Sequence, residues 1–311
     1  MKQLFGSLAM SATLASNPLA HAASKDEAAI KTIVESVAVL ADRHEFEALE
    51  TLYADELVLD YSSLSGAPAE LKSPQALMTE WAGVLPGFDR TRHALSDVDA
   101  TIDGDQAAAI AYVEAGHWIN DAYWQVDGRY DYELERQAGA WKITSMTFTL
   151  ETEIGSRDVF GPAMEAAAAN PAPYIQRHQT RQAVIDFLSG LEDKDMETVN
   201  GVWAEDAVQD MPYVPNGWDH QIIGKQGLIA QYAGWPDVSG AANFTDELIF
   251  YPMVDPQTVY VEFKGDVDIV STGRNYRQTY GALFHVDKGV ITLYREYFDP
   301  REFERAFGMS D

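Results

Sequence analysis

Apolar positions between residues 25 and 52 recur near a 3.6-residue period. Ile33, Val34, Val37, Leu40, Phe46, Leu49 and Leu52 fall close to one stripe, which predicts a helix. Tyr53-Ala54-Asp55-Glu56 follows, and Leu57-Val58-Leu59-Asp60-Tyr61 reads as a short apolar strand. Ser73-Pro74 predicts a helix start, a serine cap before a first-turn proline, with the helix running through Trp81. The period then changes to two, giving strands over residues 93–101, 107–118, 124–137 and 141–151. In the third of these, Tyr130, Tyr132 and Leu134 alternate with Asp131, Glu133 and Glu135. Helices ahead of an antiparallel meander predict an α+β fold, helices packed on a curved sheet.

The second strand has an unusual face. Ala107, Ala109, Ala111, Val113, Ala115 and His117 share it by period-two counting. Side chains this small leave a hollow that something other than protein can fill. His117 and His93 lie at one end of that hollow, and imidazoles move protons near neutral pH. The alternative is that each histidine is a hydrogen-bonded strand-end residue without chemistry.

Residues 161–173 break the pattern with Gly-Pro, an alanine run and Asn-Pro-Ala-Pro, and the elements then restart. At a spacing of 150, Leu49 matches Val199, Tyr53 matches Trp203, Ala54 matches Ala204 and Asp60 matches Asp210; Ile143-Thr144 matches Ile291-Thr292 at 148. The expected organisation is a domain over 25–158, a linker over 159–175 with one helical turn, and a second copy over 176–311. The copies are expected to form an internal pseudo-dimer, with higher oligomers open. On this alignment His93 falls opposite Asn243 and His117 opposite Gly265, so the second copy keeps the frame without the imidazoles.

A formal net charge of −27 disfavours nucleic acid and anionic membranes as partners. The absence of cysteine excludes disulfides and thiol chemistry. No apolar run reaches the length of a membrane span. Residues 1–22 read as a secretory leader, with Lys2 in front, a short apolar segment and Ala20-His21-Ala22 as cleavage pattern, so a periplasmic or secreted protein is expected. Nucleotide loops, nucleophile elbows and metalloprotease motifs are missing from the sequence. The site is therefore expected to hold neither cofactor nor metal, a His93, His117 and Asp42 metal site being the alternative.

Several motifs together resemble the SnoaL-like domains of the superfamily that includes ketosteroid isomerase, scytalone dehydratase and nuclear transport factor. The first half, from Asp26 to Arg157, resembles the scytalone dehydratase and bile acid dehydratase branch. The residues carrying this are Ala41-Asp42-Arg43-His44-Glu45-Phe46-Glu47-Ala48-Leu49, Leu59-Asp60-Tyr61, Arg90-Thr91-Arg92-His93 and Gly116-His117. The resemblance implies two tandem cone-shaped domains and assigns roles in the first. Asp42 supports one histidine, His93 and His117 transfer protons, and Tyr61 binds a substrate carbonyl through water. A second tyrosine of that branch is Ala41 here. The stretch from Gly289 to Pro300 resembles the last strand of limonene epoxide hydrolase and phenazine-biosynthesis relatives, where an acidic residue at the Glu296 position is a general acid or base. Pairing of Glu296 with Arg274, Arg277 or Arg295 is the structural alternative. The Arg-x-Asp pair of the epoxide hydrolase is absent from Val261-Glu262-Phe263-Lys264.

The expected function is a cofactor-independent dehydratase or isomerase acting on a small apolar, carbonyl-bearing ring compound. A non-catalytic carrier of such a compound, or a purely structural pseudo-dimer, are the alternatives.

Overall fold

The computed structural model describes residues 18–215 and 217–309. The expected leader lies outside the described residues through residue 17; from Pro18 onward the chain is helical. The chain divides into two compact units, residues 1–170 and 171–311.

In the first unit, α1 (Pro18–Asp42) buries Ile30, Val34, Val37, Ala38 and Ala41 against the sheet. The expected long helix is broken at His44, which has a left-handed φ of 57°. A short α2 (Phe46–Glu50) then buries Phe46 and Leu49. The strand β1 (Tyr53–Asp60), the turn of α3 (Ser62–Ser65), β2 (Glu70–Lys72) and α4 (Pro74–Ala82) follow. Ser73 caps α4, its hydroxyl accepting the Ala76 N–H at 3.2 Å. Four long strands complete the sheet: β3 (Arg90–Asp103), β4 (Gln106–Ile119), β5 (Ala122–Gln137) and β6 (Ala140–Gly155). Their order is β2-β1-β6-β5-β4-β3, antiparallel throughout except that β1 runs parallel to β6. The alternation holds: Ala107, Ala109, Ala111, Val113, Ala115 and His117 are all buried on one face of β4.

The segment read as a linker is structure. A helix α5 (Phe160–Ala169) packs on the 3-10 turn Leu85–Gly87 and belongs to the first unit. Gly87 permits this approach, since a Cβ there would sit 1.8 Å from the Ala163 carbonyl oxygen. Pro162 occupies the first turn of α5, where no intrahelical N–H bond is lost.

The second unit repeats the plan. It contains α6 (Pro173–Asp193), α7 (Met196–Gly201), β7 (Trp203–Asp210), β8 (Gln221–Ile223), α8 (Lys225–Tyr232) and α9 (Trp235–Val238). After these come β9 (Ser239–Asn243), β10 (Leu248–Pro252), β11 (Thr258–Ile269), β12 (Arg274–Asp287), β13 (Val290–Tyr297) and α10 (Pro300–Phe307). The sheet order is β10-β11-β12-β13-β7-β8, with β9 also on β11, so the edge strand is split in two where β3 carries only a bulge. The break after the first helix recurs at Lys194, φ 58°. Tyr53 pairs with Ile143 as Trp203 pairs with Ile291, in parallel register, which places the duplication on the backbone.

Strand register revises two of the matches between the copies. Arg92 pairs with Gly116, and Asn243 pairs with Asp266, so His93 corresponds to Phe244. His117 corresponds to Val267, because the spacing, 151 residues at His93, is 150 along β11 and changes again at the following hairpins. Insertions and deletions fall in hairpin loops, where they cost least. The second copy lacks both imidazoles on this corrected register as well.

Candidate active site

Asp42 is the last residue of α1, and the helix delivers its carboxylate to the start of β3. Three donors converge on it. The His93 backbone N–H reaches Oδ2 at 2.8 Å, the Thr91 hydroxyl reaches Oδ1 at 2.9 Å, and His93 Nδ1 lies 2.7 Å from Oδ1. Burial raises the Asp42 carboxyl, yet the hydrogen bonds from His93 and Thr91 outweigh it and hold the group below its usual range. An ionised carboxylate only accepts, so Nδ1 of His93 carries a proton, and in the neutral ring Nε2 is the nitrogen with the free lone pair.

His93 and His117 meet at right angles with ring centroids 5.4 Å apart. They share a face because β4 pairs with β3 and both side chains point inward, His117 one pleat beyond Ala115, the partner of His93. His117 is enclosed by aromatic rings: Phe88 at 5.0 Å, Trp124 at 5.1 Å and Phe160 at 6.2 Å. It is 5% exposed, and its Nδ1 has no hydrogen-bond partner. Burial and the neighbouring His93 push its imidazole down to about 3, so it is neutral at physiological pH. Both histidines are expected to transfer protons, but only His93 has a carboxylate partner, while Nδ1 of His117 has none.

A cavity of about 190 Å³ opens on these rings. Tyr61, His93, His117, Ala41 and Tyr130 are on its wall, and Asp42 stands behind His93. Phe148 and Trp124 add apolar surface. The hydroxyls of Tyr61 and Tyr130 are 3.5 Å apart. Burial raises both phenols, Tyr61 far above its ordinary value, so each stays protonated and is available as a donor. The four residues singled out in the sequence therefore come together, three on the cavity and one directly behind it.

Sequence reasoning missed four contributors. Thr91 stood inside a quoted motif without a role. Tyr130 was taken as the apolar side of an alternating strand. Phe88 and Phe160 come from a turn and from the stretch read as linker, and no local pattern marks either. Among the described residues, no group of three or more His, Asp or Glu side chains is arranged to hold a metal ion.

In the second unit the carboxylate survives without its imidazole. Glu192, at the place of Asp42, accepts the backbone N–H of Phe244 and that of Thr245 at 2.6 Å, and the Thr245 hydroxyl at 2.9 Å. Glu296 is buried and makes no ion pair among the described residues. Arg295 is committed to Asp210 at 2.6 Å, Arg277 to Asp266 at 3.2 Å, and Arg274 to the Arg305 carbonyl, so the arginine pairing expected as its structural alternative does not occur.

Residues 22–147 match the model of a SnoaL-like domain, and residues 184–294 match a second SnoaL-like domain model. The chain is 33% identical over 124 residues to the uncharacterised protein YesE of Bacillus subtilis, covering 40% of this chain and 84% of YesE. It is 27% identical over 128 residues to the uncharacterised PhzA/B-like protein PA3332 of Pseudomonas aeruginosa, covering 41% and 89%. Among solved structures, the Kfla4162 protein of Kribbella flavida aligns with a TM-score of 0.40 and 28% identity, over 42% of this chain and 95% of that one.

Proposed function

The chain belongs to the SnoaL-like family as two domains in tandem, and from that premise we propose that its first domain is a cofactor-independent lyase or isomerase. Its substrate is a small apolar ring compound bearing a carbonyl. The observation that carries this reading is a carboxylate-anchored imidazole and a protonated phenol on the wall of one enclosed apolar cavity.

Nε2 of His93 takes a proton from the carbon next to the carbonyl. The C–H pair moves into the ring and charge gathers on the carbonyl oxygen, where Tyr61, with Tyr130 beside it, donates a hydrogen bond. The imidazolium formed at His93 faces the Asp42 carboxylate, which balances its charge. Its proton then returns to the substrate. Delivered to a β-hydroxyl, it completes departure of water; delivered to the γ-carbon of an unsaturated ring, it completes a double-bond shift. His117, neutral in its aromatic enclosure, is a hydrogen-bonding group rather than a resident acid. Ala41 leaves open the space that a tyrosine fills in the dehydratase branch, and Tyr130 offers the second phenol from another strand.

Deuterium uptake at the α-carbons of 2-tetralone in D₂O, followed by proton NMR, tests the proposal without the natural substrate. The native protein is expected to speed exchange, and His93→Ala to lower that rate about a hundredfold or more. Unaltered exchange in the variant refutes it. Binding of 2-tetralone without any exchange identifies the first domain as a carrier instead.

A further inference from the structure

The second domain contains its own cavity, of about 330 Å³, at the size where small organic ligands begin to fit. Glu296 is the one carboxyl on its wall among the described residues. The strand register puts Glu296 where the first domain has Phe148, so a carboxyl replaces an apolar ring on an otherwise shared wall.

The surroundings of this carboxyl are built for an anion. Gln209 Nε2 donates to Oε1 at 2.5 Å and the Tyr294 hydroxyl donates to Oε2 at 2.7 Å. The amide of Gln209 is oriented in turn by the Tyr232 hydroxyl, which donates to its Oε1 at 3.1 Å. Among the described residues the wall carries no lysine or arginine, and Arg274, Arg277 and Arg295 are engaged elsewhere. The remaining wall is aromatic, including Phe187, Phe244, Phe263, Tyr280, Trp235 and Phe298. Ring faces attract cations, and most strongly where water is excluded. A buried carboxyl with two fitted donors is left without a compensating cation when it ionises.

We propose that the second domain binds an organic cation, an ammonium group on an apolar or aromatic body, with Glu296 as counter-ion and the aromatic wall as cage. This reading stands apart from the chemistry of the first domain, whose cavity presents imidazoles and phenols and no carboxylate on its surface. The cation competes with a proton for Glu296, since burial raises that carboxyl against the pull of Tyr294 and Gln209. The other titratable groups facing it are the phenols of Tyr232, Tyr276, Tyr280 and Tyr294, all raised by burial and neutral below pH 8. His220 is engaged with the carbonyl of Met211, a residue of the same wall.

Calorimetric titration of the full chain with benzyltrimethylammonium, against its neutral isostere neopentylbenzene, tests the assignment. The cation is expected to bind at least about tenfold tighter than the isostere, and its affinity to fall as pH is lowered from 8 to 5. Glu296→Gln is expected to abolish both the preference and the pH dependence, and a pH-dependent fall that persists in this folded variant overturns the assignment of Glu296 as counter-ion. Equal affinities for the two probes, absence of cation binding, or a preference retained in folded Glu296→Gln overturns the proposal. The comparison of probes on the unmodified protein needs no variant, so misfolding of Glu296→Gln leaves it testable.

Discussion

His117 carries a prediction that separates the two histidines of the first domain. Its imidazole ionises near 3 in the folded chain, against about 6.5 for an unperturbed histidine. Between those values the unfolded chain binds a proton that the folded one does not, so acid favours unfolding there. The contribution is complete above pH 6.5 and declines as pH falls toward 3. A gap of about 3.5 units corresponds to roughly 5 kcal/mol across the window, and about 3 kcal/mol of it is lost by pH 4.5. That is a large part of the stability of an ordinary domain. His117→Phe removes the titrating group and places a ring among Phe88, Trp124 and Phe160, which already surround the position. Urea unfolding at pH 7.5 and 4.5 should show a smaller loss on acidification in the variant, by about 3 kcal/mol. Proton NMR of the native chain should show the His117 ring resonances unmoved from pH 8 to 5. A midpoint near 6.5 for His117, or equal acid losses in both proteins, refutes the electrostatic argument and restores His117 as a proton carrier.

The paired carboxylates allow a second comparison. Asp42→Asn is expected to slow α-proton exchange about a hundredfold, and Glu192→Gln to leave it unchanged while costing about 1–3 kcal/mol of second-domain stability by urea titration. Gly87→Ala is expected to push α5 off its turn, since the added carbon meets the Ala163 backbone. A fall of about 1–3 kcal/mol in first-domain stability, with faster hydrogen exchange in α5, is the expected readout; native protection of α5 in that variant refutes the close-packing argument.

Much of the frame was legible because its signals are periodic. Alternation along β4 gave the buried face, the Ser73-Pro74 pair gave the start of α4, and repeated Asp60 and Asp210 gave the duplication. His93 and His117 were legible from the small-residue face of β4, whereas Asp42 and Tyr61 were legible only as members of a family pattern, since no local spacing joins residues 42 and 117. The alanine run of α5 was read as a single helical turn within a linker because Gly161 and Pro162 precede it, although alanine is the strongest helix former and a first-turn proline interrupts nothing. The slip at His117 came from carrying the spacing of the last strand back to β4, and the slip at His93 from carrying the spacing of β1 forward to β3. The environment of Glu296 depends on Tyr294 two residues away on the same strand and on Gln209 and Tyr232 from two other elements, and contacts as distant in sequence as these last two leave no trace in it.

The clamp formed by Asp42 on the backbone of His93 recurs as Glu192 on the backbone of Phe244, where no imidazole is present. Backbone fastening and side-chain chemistry thus differ within a single polypeptide: one lobe holds the fastening together with an imidazole, the other the fastening alone. Each molecule carries an internal reference, against which any defect seen only in the amino-terminal lobe reads as chemistry and any defect common to both reads as carpentry.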